Sequence, residues 1–204
     1  MISSTAIIYP NVILGENCTI EDFVVIGAVP IGYDDELLQT IIGDNAVIRS
    51  HTVIYAGNTI GNNFHTGNKA NIRELNLIGH NVSIGTLTVV EHHVSIGSFV
   101  RIHSQSFIPE FTIVETRAWI GPNVVLTNSR YPNSPGAKER LSGVCIKEEA
   151  IVGANVTILP CVVVGKKALI GAGSVVVKSV PDGAVVTGNP AKVLKSISKL
   201  PYRF

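Results

Sequence analysis

The chain has few cysteines, few aromatic residues and almost no net charge, and each shortage excludes something. Its three cysteines, Cys18, Cys145 and Cys161, are odd in number and share no short metal-ligand spacing, which argues against a disulfide framework and against a structural zinc site. Lys and Arg number 16 against 15 Asp and Glu, a formal net charge of +1. These charges are dispersed, so no basic footprint for nucleic acid or for an anionic membrane surface stands out, and neither kind of partner is expected. No unbroken apolar run approaches the roughly 20 residues of a membrane-spanning helix. The first eight residues lead straight into patterned sequence, without a basic n-region or a long apolar h-region, so the expected setting is the cytoplasm.

What is abundant is aliphatic. Apolar residues make up 46% of the 204, dominated by Ile and Val, and glycine reaches 19 residues. That profile favours strands and tight turns over helices, and the length suits one domain.

The aliphatic residues also repeat. Stepping by six from Ile42 gives Ile48, Ile54, Ile60, Thr66, Ile72, Ile78, Ile84, Val90, Ile96, Ile102, Ile108, Val114, Ile120 and Leu126, and Thr66 alone breaks the rule. The same period runs earlier through Ile8, Leu14, Ile20 and Ile26, and later through Val152, Ile158, Val164, Ile170 and Val176. Both outer blocks stand on another phase, so segments 27–41 and 128–150 read as insertions.

A short period sustained over this length is the mark of a stacked-repeat architecture. Six residues make a brief strand and a turn, three such units close a triangular coil, and coils stack about 4.8 Å apart through parallel-strand hydrogen bonds. Each inward aliphatic then rests on its equivalent in the next coil, and its burial stabilises by roughly 1.5–3 kcal/mol. The expectation is an all-β parallel helix over residues 1–187, with loops at 27–41 and 128–150 and a tail at 188–204 capping the last coil. Loops of that length inside a compact repeat are uncommon without a purpose.

Residues eighteen apart stack in such a coil. His92, Glu110 and Asn128 therefore fall in one column on one edge of the prism, beside the start of the long loop. Polar side chains piled at a corner beside a loop make a candidate site. His103 and Gln105 on the preceding corner are further candidates. The period does not set the hand of the coil, because parallel crossovers are usually right-handed.

Four segments carry a resemblance: IGPNVVLTN (120–128) followed by a proline-bearing loop, VGANVTILPCVVVG (152–165), VGKKALIGAGSVVVKSVPDG (164–183) and VTGNPAKVL (186–194). Together they resemble the hexapeptide-repeat acyltransferases, and within that family the chain is most similar to the N-acetyltransferases of nucleotide-linked sugars. The resemblance implies a left-handed β-helix and a homotrimer with active sites in the grooves between subunits. It also implies acetyl-CoA as co-substrate, and no metal. By the same resemblance, backbone amides near Ala154 and Ala172 bond the pantetheine arm, while Lys178, Pro190 and Lys192 lie near the nucleotide end. Glu110, Asn128, His92 and His103 are the catalytic candidates.

O-acetylating relatives carry a histidine in the long loop, where this chain reads Leu-Thr-Asn-Ser-Arg-Tyr-Pro. A hydroxyl needs a general base, whereas an amine offers a lone pair once it sheds one proton. The expected acceptor is therefore an amino group, with a sugar hydroxyl as the alternative. Two further alternatives are a carbonic-anhydrase-like protein and a non-catalytic trimeric scaffold. The first resembles its family in needing two histidines five residues apart, a spacing no pair among the six here has. Against the second stand the long loop and the GNPAKV tail.

Overall fold

Strands of two to four residues form at the extended positions of the period, and strands one coil apart pair in parallel. Leu77–Ile78 bonds to Thr59–Ile60 on one side and to Ser95–Ile96 on the other. The computed structural model describes residues 1–33 and 38–202. Among them, stacks of ten, nine and eight strands make the three faces of a left-handed parallel β-helix. Face A begins with Thr19–Ile20 and Val47–Ile48, face B with Ile7–Ile8 and Val25–Ala28, and face C with Val12–Leu14 and Thr40–Ile42. The chain turns in order through corners AB, BC and CA. Among the described residues no helix is long and apolar enough to cross a membrane.

One continuous core fills the prism. Ile48, Ile54, Ile72, Val90, Ile108, Ile120 and Leu126 are wholly buried, each at the inward position of its strand. The corners are closed by residues in the left-handed region, of which Asn17, Asn45, Asn63 and Asn81 recur at corner CA with φ of 57–59°. Asparagine tolerates that conformation better than other side chains. The same corner carries a ladder in which each backbone N–H finds a side chain one coil on. Glu16 N donates to Asp44 Oδ1 (2.8 Å), Asp44 N to Asn62 Oδ1 (3.0 Å), Asn62 N to His80 Nδ1 (3.0 Å) and His80 N to Ser98 Oγ (3.0 Å).

Thr66, the exception in the repeat, points inward and is almost fully buried. Its hydroxyl accepts the Arg49 N–H at 2.9 Å and lies 3.3 Å from the Thr52 hydroxyl, which donates to the Gly67 carbonyl at 3.1 Å. The polar atom is thus paired rather than orphaned, which is the condition on which a core admits it.

The structure corrects three boundaries. The long insertion ends earlier than residue 150, because Cys145–Ile146 is already a strand of face C, paired with Ile113–Val114 and Val163–Val164. Its charged flank resembles a loop in sequence, yet Lys147 bonds Glu115 Oε1 at 2.6 Å and the Glu148 N–H donates to Glu115 Oε2 at 3.0 Å, so the charges sit paired at corner CA. The first insertion is shorter at both ends, since Val25–Ala28 and Thr40–Ile42 are strands; residues 34–37 of it lie outside the described residues. The tail does not begin at 188. Ala184–Gly188 pairs in parallel with Leu169–Ile170 and antiparallel with Ala191–Ser196, so the hairpin continues face A. Residues 203–204 of that segment lie outside the described residues.

Replacing Thr66 with Val restores the aliphatic rule but strips the Arg49 N–H of its acceptor. The variant is expected to lose about 1–3 kcal/mol of stability despite its greater hydrophobicity, measured by chemical denaturation.

Candidate functional site

Both insertions leave the prism at corner BC. The first departs after Val25–Ala28 and returns at Thr40–Ile42; the second departs after Val125–Leu126 and returns at Cys145–Ile146. Asn128 forms the neck of the second, its carbonyl accepting the Ser142 N–H at 2.9 Å. Beyond the neck the loop is fastened to itself: Arg140 Nη2 donates to Ser134 Oγ (3.1 Å) and to the Pro135 carbonyl (2.5 Å).

Down this corner run Glu74, His92, Glu110 and Asn128, one per coil, on the register that pairs Asn71 with Val89, Val89 with Phe107 and Phe107 with Val125. His92 Nε2 is paired with Glu110 Oε1. Asn128 Nδ2 donates to Glu110 Oε2 at 3.3 Å. On its other side His92 Nδ1 lies 2.7 Å from His93 Nδ1. Below them Glu74 is buried and held bidentately by Arg73, through Nε at 2.8 Å and Nη2 at 3.0 Å. Burial alone would raise the Glu74 carboxyl, but the bonds from Arg73 outweigh it and hold the group below the ordinary carboxylate range. Arg73 also reaches Glu91 at 3.6 Å.

Two buried asparagines fix the backbone under the column. Asn58 Oδ1 accepts Asn76 N–H at 3.1 Å, and Asn76 Oδ1 accepts the Val94 N–H at 2.7 Å. The His92–His93 turn is thereby anchored one residue beyond its end.

The predicted catalytic residues separate into two groups. His92, Glu110 and Asn128 are joined by hydrogen bonds, whereas His103 stands at corner AB, followed by Gln105 on the same corner. The His103 ring packs on Trp119 with centroids 4.6 Å apart, and its Nε2 is buried with no partner among the described residues. Burial, and secondarily Arg101, lowers its pKa below the ordinary histidine value. A cavity of about 240 Å³ beside it is lined by His65, Ser83, Arg101 and Ser104 among others.

The residues assigned to the co-substrate separate similarly. Ala154 and Ala172 occupy the same position of corner AB in successive coils, and their amides donate to no group among the described residues. The hairpin turn carrying Pro190 closes the end of that corner, where the Gly188 N–H donates to Ser174 Oγ at 3.1 Å and Lys192 pairs opposite Thr187. Lys178, exposed, belongs instead to corner BC, two coils beyond Asn128. Sequence reasoning missed His93, Glu74 and Arg73. The signal for Glu74 was its place eighteen residues before His92, and for His93 its adjacency to His92.

No family model matches the chain. Over 94 residues it is 36% identical to a galactoside O-acetyltransferase of Lactococcus lactis, covering 44% of this chain and 45% of that protein. Over 59 residues it is 49% identical to a 2,3,4,5-tetrahydropyridine-2,6-dicarboxylate N-acetyltransferase of Staphylococcus aureus, covering 29% of this chain and 25% of that one. The chain spans about half or less of the length of these curated relatives. Among solved structures, a UDP-N-acetylglucosamine acyltransferase of Francisella novicida superposes over 98% of this chain and 71% of its own, with a TM-score of 0.64 at 22% identity. A maltose O-acetyltransferase of Clostridium difficile gives 0.52 at 24% identity, over 58% of this chain and 67% of that one. At these identities the structures establish the shared prism; the sequence relatives are acetyltransferases.

Because burial lowers the His103 pKa in the fold below the value near 6.5 at which the unfolded chain protonates it, stability falls as pH drops through and below that value. Exchange of His103 for Asn should flatten that part of the stability–pH curve between pH 7.5 and 5.5, followed by urea denaturation.

Proposed function

We propose that this homologue of the hexapeptide-repeat acyltransferases transfers an acetyl group from acetyl-CoA to an amino group of a nucleotide-linked sugar, in a cleft between adjacent subunits of a homotrimer. The observation that carries the reading is the bonded series His92–Glu110–Asn128 at the neck of the long loop. An amine acceptor arrives as an ammonium and must lose a proton before it attacks. In the two coils that carry the column's start at corner BC, the carboxylates of Glu74 and Glu91 share the guanidinium of Arg73, and among the described residues Glu110 in the next coil meets only the His92 ring and the Asn128 amide. Such a surface draws a cation and favours its approach.

Glu110 holds the His92 ring by Nε2 and balances positive charge that develops on the imidazole, while Asn128 fixes the second carboxylate oxygen. Acetyl-CoA, when bound, supplies the acyl group as an activated thioester. The unpaired amides of Ala154 and Ala172 fit an extended chain of amide carbonyls, one donor per coil, and Lys192 beside the Pro190 turn fits a phosphate as a point charge. These groups line corner AB, whereas the proton-accepting series lines corner BC. A threefold assembly that sets corner AB of one subunit against corner BC of the next unites both sets, and His103 with them. Lys178 then lies on the opposite wall of the same cleft.

A sugar hydroxyl is the second reading. The loop carries no histidine, but His92 enters from the neighbouring coil beside a carboxylate, so the base that a hydroxyl requires is present after all. The Lactococcus lactis relative is an O-acetyltransferase by name.

Acetyl-CoA consumption screened against amino-sugar nucleotides and simple sugars decides between the readings; consumption only with hydroxyl acceptors overturns the amine. Exchange of Asn128 for Ala should lower kcat roughly 10- to 100-fold with the fold intact, a fraction of the 10²–10⁴ that general-base catalysis supplies. Acetyl-CoA at 100 times its Kd should stabilise the protein by about 2.7 kcal/mol, and a particle monomeric by light scattering while active would overturn the shared cleft.

A further inference from the structure

Two adjacent histidines share a single short contact at corner BC, and the proton inventory of that contact is restrictive. His92 Nδ1 and His93 Nδ1 are 2.7 Å apart, a hydrogen-bond distance that requires one proton between them, since two lone pairs or two N–H groups would repel. His92 Nε2 faces the Glu110 carboxylate, which can only accept, so that nitrogen carries a proton. In the neutral pair the second His92 nitrogen is therefore the acceptor, and His93 donates through Nδ1. What remains is the lone pair on His93 Nε2, on an exposed ring.

We propose that His93 Nε2 is the atom that takes the acceptor's proton, with His92 and Glu110 as a relay behind it. The inference rests on the acyltransfer reading above and refines its proton-accepting unit. The ammonium first releases one proton to water, and as the bond from the resulting amine nitrogen to the acyl carbon forms, a second proton of that nitrogen passes to His93 Nε2. The shared Nδ1 proton then moves from His93 to His92. The positive charge comes to rest on the His92 imidazolium, directly against the Glu110 carboxylate, rather than on the solvent-facing ring. As the carbon–sulfur bond breaks, the same shift in reverse returns a proton from His93 Nε2 to the departing sulfur, and the pair regains its neutral form. The balance needs no further reactant.

The geometry serves this role in three ways. The His93 ring stands edge-on to His92, with centroids 4.9 Å apart and planes at 79°, and lies tilted 5.9 Å from Phe111, so it is held from both sides. Its backbone is locked with φ of 55°, and the following N–H is fixed by Asn76. The ring stands in the coil between Arg73–Glu74 and Glu110, two coils before the neck of the long loop.

Two measurements on the full-length protein test this. Nitrogen-15 NMR of the histidine side chains above pH 8 should find His92 protonated on Nε2 and His93 on Nδ1; a proton on Nε2 of His93 overturns the relay. His93→Gly suits the positive φ, since glycine adopts it without strain, and vacates the ring. Its kcat should fall 10²- to 10⁴-fold, the usual worth of a general base. The KM for acetyl-CoA should stay within about twofold, and added imidazole should restore at least tenfold of the lost rate. Retention of more than a third of the parental kcat, or loss without imidazole rescue, overturns the role of His93. Should the parent protein consume no acetyl-CoA with any acceptor, the acyltransfer reading fails, while the NMR still decides the relay by itself.

Discussion

The parallel ladder between coils governs everything else in this molecule. Each strand pairs with its equivalent one coil on, and the inward aliphatic side chains allow only one register, because a slip of one residue would turn every Ile and Val to solvent. With that register fixed, positions one coil apart are bound to lie on top of one another. The corners inherit the order of the faces, and this is how Glu74, His92, Glu110 and Asn128 come to form a column with no helix or domain to gather them.

A column of acidic groups at a spacing of about 4.8 Å would repel itself. The chain avoids this by alternation. Arg73 neutralises Glu74, a histidine stands between Glu74 and Glu110, and an amide follows Glu110. Each carboxylate therefore meets a donor rather than a like charge. The same arrangement leaves one nitrogen, on His93, without a partner among the described residues, and polar capacity left over at a rigid corner is where chemistry with an outside molecule can occur. The buried Asn58–Asn76 pair serves the same end from beneath by converting a turn into a fixed support.

The distribution of features between corners also has a physical consequence. Corner BC sheds both insertions and holds the His92–Glu110–Asn128 series, whereas corner AB presents the hairpin turn and, among the described residues, the unpaired amides and the partnerless His103 nitrogen. On one subunit these sets are divided by face B. A prism cannot bend to bring them together, which is why the proposed reading takes the other corner from a second copy.

The sequence alone determined the prism, its three-sided period, the column through His92, Glu110 and Asn128, and the corner from which the long loop leaves. Those follow from a periodic pattern of burial, which is a one-dimensional property. Only the tertiary structure decided that Cys145–Ile146 resumes the coil inside a charged stretch, since the pairing of Lys147 and Glu148 with Glu115 is invisible along the chain. It also decided that His103 stands apart from the column, that the hairpin after Ala184 continues face A, and that His93 Nδ1 lies within hydrogen-bond distance of His92 Nδ1. Each of these rests on side-chain direction and on partners in other coils. Periodicity assigns a residue to a corner, but which atom is satisfied there and which is left open depends on distances in three dimensions.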